Sequence, residues 1–139
     1  MQAKDLTFEQ IAIGDTTTFT RTITASDIDT FASLSGDSNP LHVDEEYART
    51  TPFGKRVVHG MLLGALCSQL VGMHIPGKRC LYLKQDLSFK NPVFIGDTVV
   101  VMGTVTHRSE STRILTILIQ ISVGEKEVAR GEAHVQVVY

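Results

Sequence analysis

The sequence predicts an α+β domain in which one antiparallel sheet wraps around a single long helix. Residues 57–73 are apolar on nearly all sides, which is the pattern of a helix that is buried all round. The C-terminal half instead alternates apolar and polar residues with a period of two, which indicates strands with one apolar face. The economical arrangement packs those faces against the helix.

The N-terminal half predicts one strand and two short helices before the long helix. Residues 16–24 are rich in Thr and are typical of a strand. We expect Ser26 to cap a helix that ends at Gly36, because glycine readily adopts the left-handed conformation that closes a helix. Asp44 is placed to cap a second short helix. The buried face of the first helix is predicted to consist of Ile28, Phe31, Ala32 and Leu34.

Four strands are predicted after the long helix, and a tight turn at Gly124-Glu125 joins the last two. The small residue Gly131 would let the fourth strand approach the helix closely. Because one sheet and one helix leave edge strands and a flank of the helix uncovered, we expect a homodimer. The apolar faces are predicted from Leu81, Leu83, Leu87 and Phe89 in the first strand, Val99, Val101 and Val105 in the second, Leu115, Ile117, Ile119, Ile121 and Val123 in the third, and Ala129, Gly131, Ala133, Val135 and Val137 in the fourth.

Length and composition indicate a single domain, residues 1–139, with a cytoplasmic location. The net charge of −2 argues against nucleic acid or an anionic membrane as the main partner, because both favour a basic surface. No secretory signal is visible, and the longest apolar run is too short to span a bilayer. Cys67 and Cys80 lie in apolar runs and form no CxxC pair, so they are interpreted as reduced, buried thiols.

Residues 35–42 place a carboxylate and an imidazole, Asp37 and His42, five positions apart. Gly36 permits a left-handed turn, and Pro40 favours extended geometry at Asn39, so we expect neither helix nor regular strand here. Such a loop can direct both side chains at one point, as an acid–base pair around one water requires. Taken singly, each side chain also fits an ordinary structural role in a turn.

Gly60 lies in the first turn of the predicted long helix, where the N–H groups are unpaired and the dipole is positive. Its amide, unshielded by a side chain, suits a carbonyl oxygen that gains negative charge during a reaction. With the acid–base pair, this favours proton transfer next to a carbonyl, or addition of water across a conjugated C=C. His59 is the one further metal ligand available to Asp37 and His42, which is too few for a typical site, and we expect no metal.

These segments together resemble the (R)-specific enoyl-CoA hydratases, the MaoC-like branch of the hot-dog superfamily. The resemblance covers nearly the whole chain. The matching positions are Phe31, Gly36, Asp37, Asn39, Pro40, His42, Asp44, Tyr47, Thr51, Phe53, Val58, His59, Gly60, Met61, Leu87, Phe89, Pro92, Val93, Gly96 and Asp97.

The resemblance implies a hot-dog homodimer that hydrates trans-2-enoyl-CoA reversibly, by syn addition, to (R)-3-hydroxyacyl-CoA. It implies no cofactor beyond the CoA carrier of the substrate. Asp37 and His42 correspond to the catalytic dyad, and Gly60 to the backbone N–H of the oxyanion hole. The positions predicted to contact the substrate are Asn39, His59, Leu63 and Ser68.

Other functions also fit these residues. A 3-hydroxyacyl-ACP dehydratase of fatty-acid synthesis would use the same dyad and would need a basic surface for its acidic carrier protein. A non-catalytic module that binds acyl thioesters would need the pocket without the dyad, and a thioesterase is a weaker third choice. Supply of polyhydroxyalkanoate precursors is one of several pathways with this chemistry. The basic residues available for a carrier are Lys55, Arg56, Lys78, Arg79, Lys84 and Lys90.

Overall fold

A computed structural model describes residues 1–139 and consists of one antiparallel sheet and four α-helices. The strands are ordered β1-β4-β5-β6-β2, and the short β3 also pairs with β6. The predicted α+β class is therefore confirmed. The elements are a 3₁₀ turn at Phe8–Gln10, β1 (Thr16–Thr22), α1 (Ala25–Ser35), α2 (Pro40–Val43), α3 (Glu45–Arg49), α4 (Gly60–Gln69), a π-helical turn at Leu70–His74, β2 (Cys80–Gln85), β3 (Ser88–Phe89), β4 (Thr98–Ser109), β5 (Ile114–Val123) and β6 (Lys126–Val137).

The core lies between the concave face of the sheet and α4. The alternating apolar residues predicted for β4, β5 and β6 are buried in it, as Val101, Ile119 and Val135 illustrate, except Val123 at the end of β5, which is partly buried. The helix contributes Leu62, Leu66 and other residues to the same cluster. Each such side chain stabilises the fold by about 1.5–3 kcal/mol.

Two glycines in the sheet make room for different neighbours. A Cβ at Gly103 in β4 would lie 2.6 Å from Cδ2 of Leu70, so this position lets the helical segment approach the sheet. A Cβ at Gly131 in β6 would instead overlap the backbone carbonyl of Asp86. The prediction that Gly131 accommodates the helix was wrong, because the chain between β2 and β3 crosses there.

Helix α4 is shorter and less enclosed than the sequence indicated. It begins at Gly60 because the preceding residues pair with a neighbouring segment, where the Val58 N–H donates to the Val93 carbonyl at 2.8 Å. The prediction of a helix that is buried all round was wrong: Met61 is 64% exposed, and Ala65 and Ser68 are exposed beside it. No helix combines the length and apolar character that a bilayer crossing demands.

The predicted strand over 81–90 is broken into β2 and β3. Its apolar residues Leu81 and Leu83 were predicted to face the core, which was wrong, because both are about half exposed. The register explains the difference: Leu81 lies opposite Gln136, whereas Tyr82 lies opposite the buried Val135. The inward side of β2 therefore carries Tyr82, and the outward side carries the leucines.

The first helix begins earlier than predicted. Its N-cap is Thr24, whose side chain accepts from the Asp27 N–H, and Ser26 lies within the helix. Its end at Gly36 is confirmed, with φ of +79°. Leu34, predicted on the buried face, is 85% exposed.

Residues 40–43 form a one-turn helix, α2, where the sequence predicted neither helix nor strand. Pro40 occupies its first position, where the missing N–H costs nothing and the fixed φ suits a helix. The Asn39 side chain caps this turn by accepting from the Leu41 N–H at 3.0 Å. His42 is therefore held on a short helix.

Candidate active site

Asp37 and His42 face each other across a short gap. Asp37 follows directly on the end of α1, and His42 lies on α2. His42 Nε2 is 4.0 Å from Asp37 Oδ2, which is too long for a direct hydrogen bond. The two side chains that the sequence singled out are thus brought to one point.

Local hydrogen bonds hold the Asp37 carboxylate. Asp37 Oδ1 accepts from the Asn39 N–H at 3.2 Å, and the Asp37 backbone N–H donates to Ser35 Oγ at 3.1 Å. Asn39 was predicted to contact substrate, yet its side-chain oxygen is used to cap α2. The remaining carboxylate oxygen, Oδ2, is the one that faces His42.

The orientation of the His42 ring fixes which nitrogen carries the proton. Nδ1 lies 2.7 Å from the Val57 carbonyl, and a carbonyl can only accept. In the neutral imidazole, Nδ1 therefore carries the hydrogen, and Nε2 presents its lone pair towards Asp37. The backbone of α2 is joined to the same segment by the Val57 N–H, which donates to the Leu41 carbonyl at 3.2 Å.

His59 lies directly behind the pair and is 2% exposed. Its Nε2 is 2.9 Å from the backbone carbonyl oxygen of Asp37. Its ring stacks on that of His42, with centroids 3.9 Å apart and planes inclined by 27°. Phe31 packs on the ring at a centroid distance of 4.8 Å.

A cavity of about 420 Å³ adjoins His42 and is also lined by Gly60, Leu63, Phe53, Phe89 and Val93 among others. Asp37 reaches it only through its contact with His42. The Gly60 N–H, at the start of α4, makes no hydrogen bond within the protein. A Cβ at Gly60 would lie only 3.1–3.3 Å from the Phe89 ring. The cavity therefore combines a free amide, one imidazole and an apolar wall.

Asp37, His42 and His59 place one possible metal-ligating atom each within 4.8 Å of one another. The donor set does not fit a metal, because His59 Nε2 donates its hydrogen to the Asp37 carbonyl and has no lone pair to offer. Only Asp37 Oδ2 and His42 Nε2 remain, whereas a zinc site needs three or four protein ligands.

The other predicted site residues fall in three places. Leu63 lies on the cavity wall. His59 is buried behind the wall, and Ser68 lies on the exposed face of α4. Residues that sequence reasoning missed are Phe89, which packs on Gly60, and Val57, whose carbonyl orients His42.

A sheet wrapped around a central helix is the hot-dog fold, and the named relatives of the chain are hydratases and dehydratases, so the protein is a hot-dog enzyme of the hydro-lyase class. A family model described as MaoC like domain matches residues 8–128. The chain belongs to this family.

Named relatives cover almost all of the chain. An (R)-specific enoyl-CoA hydratase of Rhodospirillum rubrum is 44% identical over 140 residues, which span 99% of this chain and 97% of that protein. A 3-hydroxybutyryl-CoA dehydratase of Methylorubrum extorquens is 39% identical over 95% of this chain and 84% of its own. The solved (R)-hydratase of A. caviae involved in PHA biosynthesis superimposes with a TM-score of 0.90 at 41% identity, covering 93% and 98% of the two chains.

Proposed function

We propose that this protein is an (R)-specific enoyl-CoA hydratase that adds water reversibly, in a syn manner, to trans-2-enoyl-CoA. The observation that carries the proposal is the juxtaposition of His42 Nε2 and Asp37 Oδ2, 4.0 Å apart, next to a cavity that His42 and Gly60 both line. The names of its relatives support the choice of substrate and of product configuration. The reaction uses no cofactor beyond the CoA carrier.

The 4.0 Å gap suits one water molecule shared by Asp37 and His42. A water about 2.8 Å from both atoms donates one hydrogen to Asp37 Oδ2 and the other to the lone pair of His42 Nε2. Both partners are acceptors, so the oxygen lone pairs of the water are directed away from them, towards an acyl chain in the cavity. The pair therefore orients and activates the nucleophile.

The free Gly60 amide serves the opposite end of the reacting group. As the water oxygen bonds to C3, the C2=C3 electron pair moves to give an enolate on the thioester oxygen. One N–H donor at this oxygen is typically worth about 2.7–4 kcal/mol in the transition state. The proton that leaves the water passes to the dyad and is then delivered to C2 on the same face, which gives syn addition.

The cavity wall sets the environment of the acyl chain. Leu63, Phe89 and Val93 provide apolar contacts, whereas Leu66 and Leu70, deeper along the helical segment, belong to the core. Ser68 and Asn39 are proposed contacts with the remainder of the substrate.

Lys90 is the basic residue on the cavity wall, and its Nζ pairs with Glu127 at 2.9 Å. Two of the other candidates for carrier binding, Lys78 and Arg79, both pair with Asp5. The ion pairs leave Lys55 and Lys84 for a carrier, so the charges alone do not decide. The near-full-length relatives are named for CoA substrates, which favours a CoA thioester over an acidic carrier protein.

We also propose a homodimer formed through the exposed face of α4 around Met61 and Ala65. Met61→Glu would place a charge in this contact, and we expect light scattering to give the mass of a monomer for this variant. Leu34→Glu, at an exposed site on α1, is the matched control and should leave the mass unchanged. We propose that the protein is located in the cytoplasm. Its proposed metabolic role is the supply of polyhydroxyalkanoate precursors.

The test is a hydration assay over a series of trans-2-enoyl-CoA lengths, with the chirality of the product determined. We expect loss of enoyl absorbance with the thioester intact, and an (R) product. Asp37→Ala and His42→Ala should each lower kcat by at least about 10²-fold while the protein stays folded. Ser38→Ala, an exposed neighbour, is the control. Release of free CoA, or turnover of enoyl-ACP alone, would overturn the proposal.

A further inference from the structure

His59 is the one buried histidine that contacts both members of the proposed dyad. Its ring stacks on His42 at 3.9 Å, and its Nε2 lies 2.9 Å from the Asp37 carbonyl oxygen. At 2% exposure it lies behind the cavity wall, so it has no surface to offer a substrate. The predicted substrate contact therefore needs a different explanation.

The hydrogen bonds of His59 determine its tautomer. Because the Asp37 carbonyl can only accept, Nε2 must carry the hydrogen. Nδ1 is buried and has no hydrogen-bond partner. Nε2 is also 4.0 Å from Asp37 Oδ2, but its one hydrogen is held in the shorter contact with the Asp37 carbonyl oxygen, at 2.9 Å. This engagement separates the role of His59 from that of His42, whose Nε2 offers a lone pair.

We propose that His59 is a positioning residue that sets the spacing between Asp37 and His42 and joins both to the oxyanion donor. This inference rests on the proposed function, in which those two side chains share one water. His59 is the N-cap residue of α4 and immediately precedes Gly60 in the chain. One residue therefore connects the carboxylate, the imidazole and the free amide.

The unpartnered Nδ1 strengthens this assignment. A buried nitrogen without a partner destabilises a protein, and an aromatic ring of similar shape would avoid that cost. Phe at this position would keep the packing against Phe31 and His42 but would lose the hydrogen bond to the Asp37 carbonyl. A histidine that served packing alone would gain nothing from its ring nitrogens.

Three substitutions separate positioning from packing and from acid–base catalysis. In His59→Gln the amide nitrogen replaces Nε2 and can still reach the Asp37 carbonyl, whereas the shorter side chain of His59→Asn places its amide near the Nδ1 position. His59→Phe keeps the stacked ring without a donor. Because misplacement by about 1 Å can cost about 10²-fold in rate, we expect kcat losses of about 10–100-fold for Asn and Phe, and less than about fivefold for Gln. KM should change by less than about threefold in all of them.

Any other pattern of activity among the three His59 variants overturns the inference. A packing role predicts that Phe retains the most activity, and an acid–base role predicts equal losses in all variants and the disappearance of one limb of the pH–rate profile. If Phe does not fold, the Gln and Asn pair still decides, since both are amides and differ in reach. If Asp37→Ala and His42→Ala lose activity while the Asn and Phe variants do not, this inference alone fails. If Asp37→Ala and His42→Ala keep activity, the proposed function fails.

A measurement independent of activity completes the test. Two-bond ¹H–¹⁵N correlation spectra of the unsubstituted protein report the tautomer of each histidine. We expect an Nε2–H tautomer for His59 and an Nδ1–H tautomer for His42. The Nδ1–H tautomer at His59 would overturn the inference, because the hydrogen bond to the Asp37 carbonyl would then have no donor.

Discussion

Arg56 and His42 are joined by a hydrogen bond from the guanidinium Nε to the His42 backbone carbonyl, with an N–O distance of 2.5 Å. The same guanidinium donates from Nη2 to Asp29 on α1 at 2.6 Å. The Arg56 side chain is 11% exposed and that of Asp29 is 61% exposed, so the bond to His42 is the better shielded of the two. Arg56 therefore connects α1, α2 and the segment that leads to α4.

Arg56→Lys should weaken the protein and slow the reaction. A lysine keeps the charge but cannot reach two acceptors with the planar geometry of a guanidinium. Since hydrogen bonds to charged groups contribute about 1.5–3 kcal/mol, we expect a loss of about 1–3 kcal/mol in the free energy of unfolding, measured with urea. We also expect kcat to fall by about 3–10-fold through displacement of α2. Arg49→Lys, in an exposed pair with Glu46, is the control and should change neither value.

Gly60→Ala should impair activity through Phe89. The added Cβ would lie 3.1–3.3 Å from the Phe89 ring, so either the ring or the start of α4 must shift. Because both line the cavity, we expect kcat/KM to fall by at least about 10-fold. Phe89→Leu in the same chain should relieve the contact and restore part of the loss.

The control for Gly60→Ala is Gly72→Ala, where a Cβ meets no atom within 4 Å. There we expect full activity and a gain of about 0.4–1 kcal/mol in the free energy of unfolding, because alanine restricts the unfolded chain. Wild-type activity in Gly60→Ala would contradict the proposed place of the thioester oxygen.

Gly131→Ala and Gly103→Ala should destabilise the protein to different degrees. A Cβ at Gly103 meets the flexible end of Leu70, which can rotate, and overpacking of this kind costs about 1–3 kcal/mol. A Cβ at Gly131 meets the backbone of Asp86, which cannot move without breaking the pairing of β2 and β3 with β6. Urea unfolding should therefore rank Gly131→Ala as the less stable, and the reverse order would contradict this account.

His74 should make stability dependent on pH below neutrality. Burial lowers the pKa of His74, with a smaller contribution from Lys4, and its ring stacks on Phe19 at 5.1 Å. The unfolded chain, with a histidine pKa of about 6.5, then binds the proton first as the pH falls. The free energy of unfolding therefore decreases from about pH 6.5 down through the lowered pKa of the folded state, and it is unaffected above that range.

His74→Phe should keep the stacking on Phe19 and flatten this part of the pH profile of stability. His107→Gln, at an exposed position on β4, is the matched control and should leave the profile as it is. Urea midpoints between pH 5 and 8 give the comparison. An unchanged slope in His74→Phe would exclude His74 as the source.

Local pattern was sufficient for much of the fold. The alternation in β5 placed Ile117, Ile119 and Ile121 in the core, and Gly36 ended α1 as predicted. The errors arose where long-range pairing decides. Leu81 alternates like a core residue, but its register with β6 turns it outward, and no local signal contains that register.

For the candidate site too, local sequence identified the residues, whereas long-range contacts orient them. Asp37 and His42 were singled out because a glycine and a proline shape the chain between them, which is local information. The partners that orient them are distant in sequence: Val57 accepts from His42 fifteen positions away, and His59 donates to Asp37 twenty-two positions away. Phe89 reaches Gly60 only because β3 pairs with β6.

The segment that carries Asp37 and His42 has few buried residues. Between residues 36 and 59, only Ala48, Val58 and His59 are buried, whereas β4, β5 and β6 form the interior of the protein. Segments with few buried contacts can open as separate cooperative units without global unfolding. Activity would then measure the opening equilibrium of this segment, so a population that has lost turnover can still keep an intact sheet.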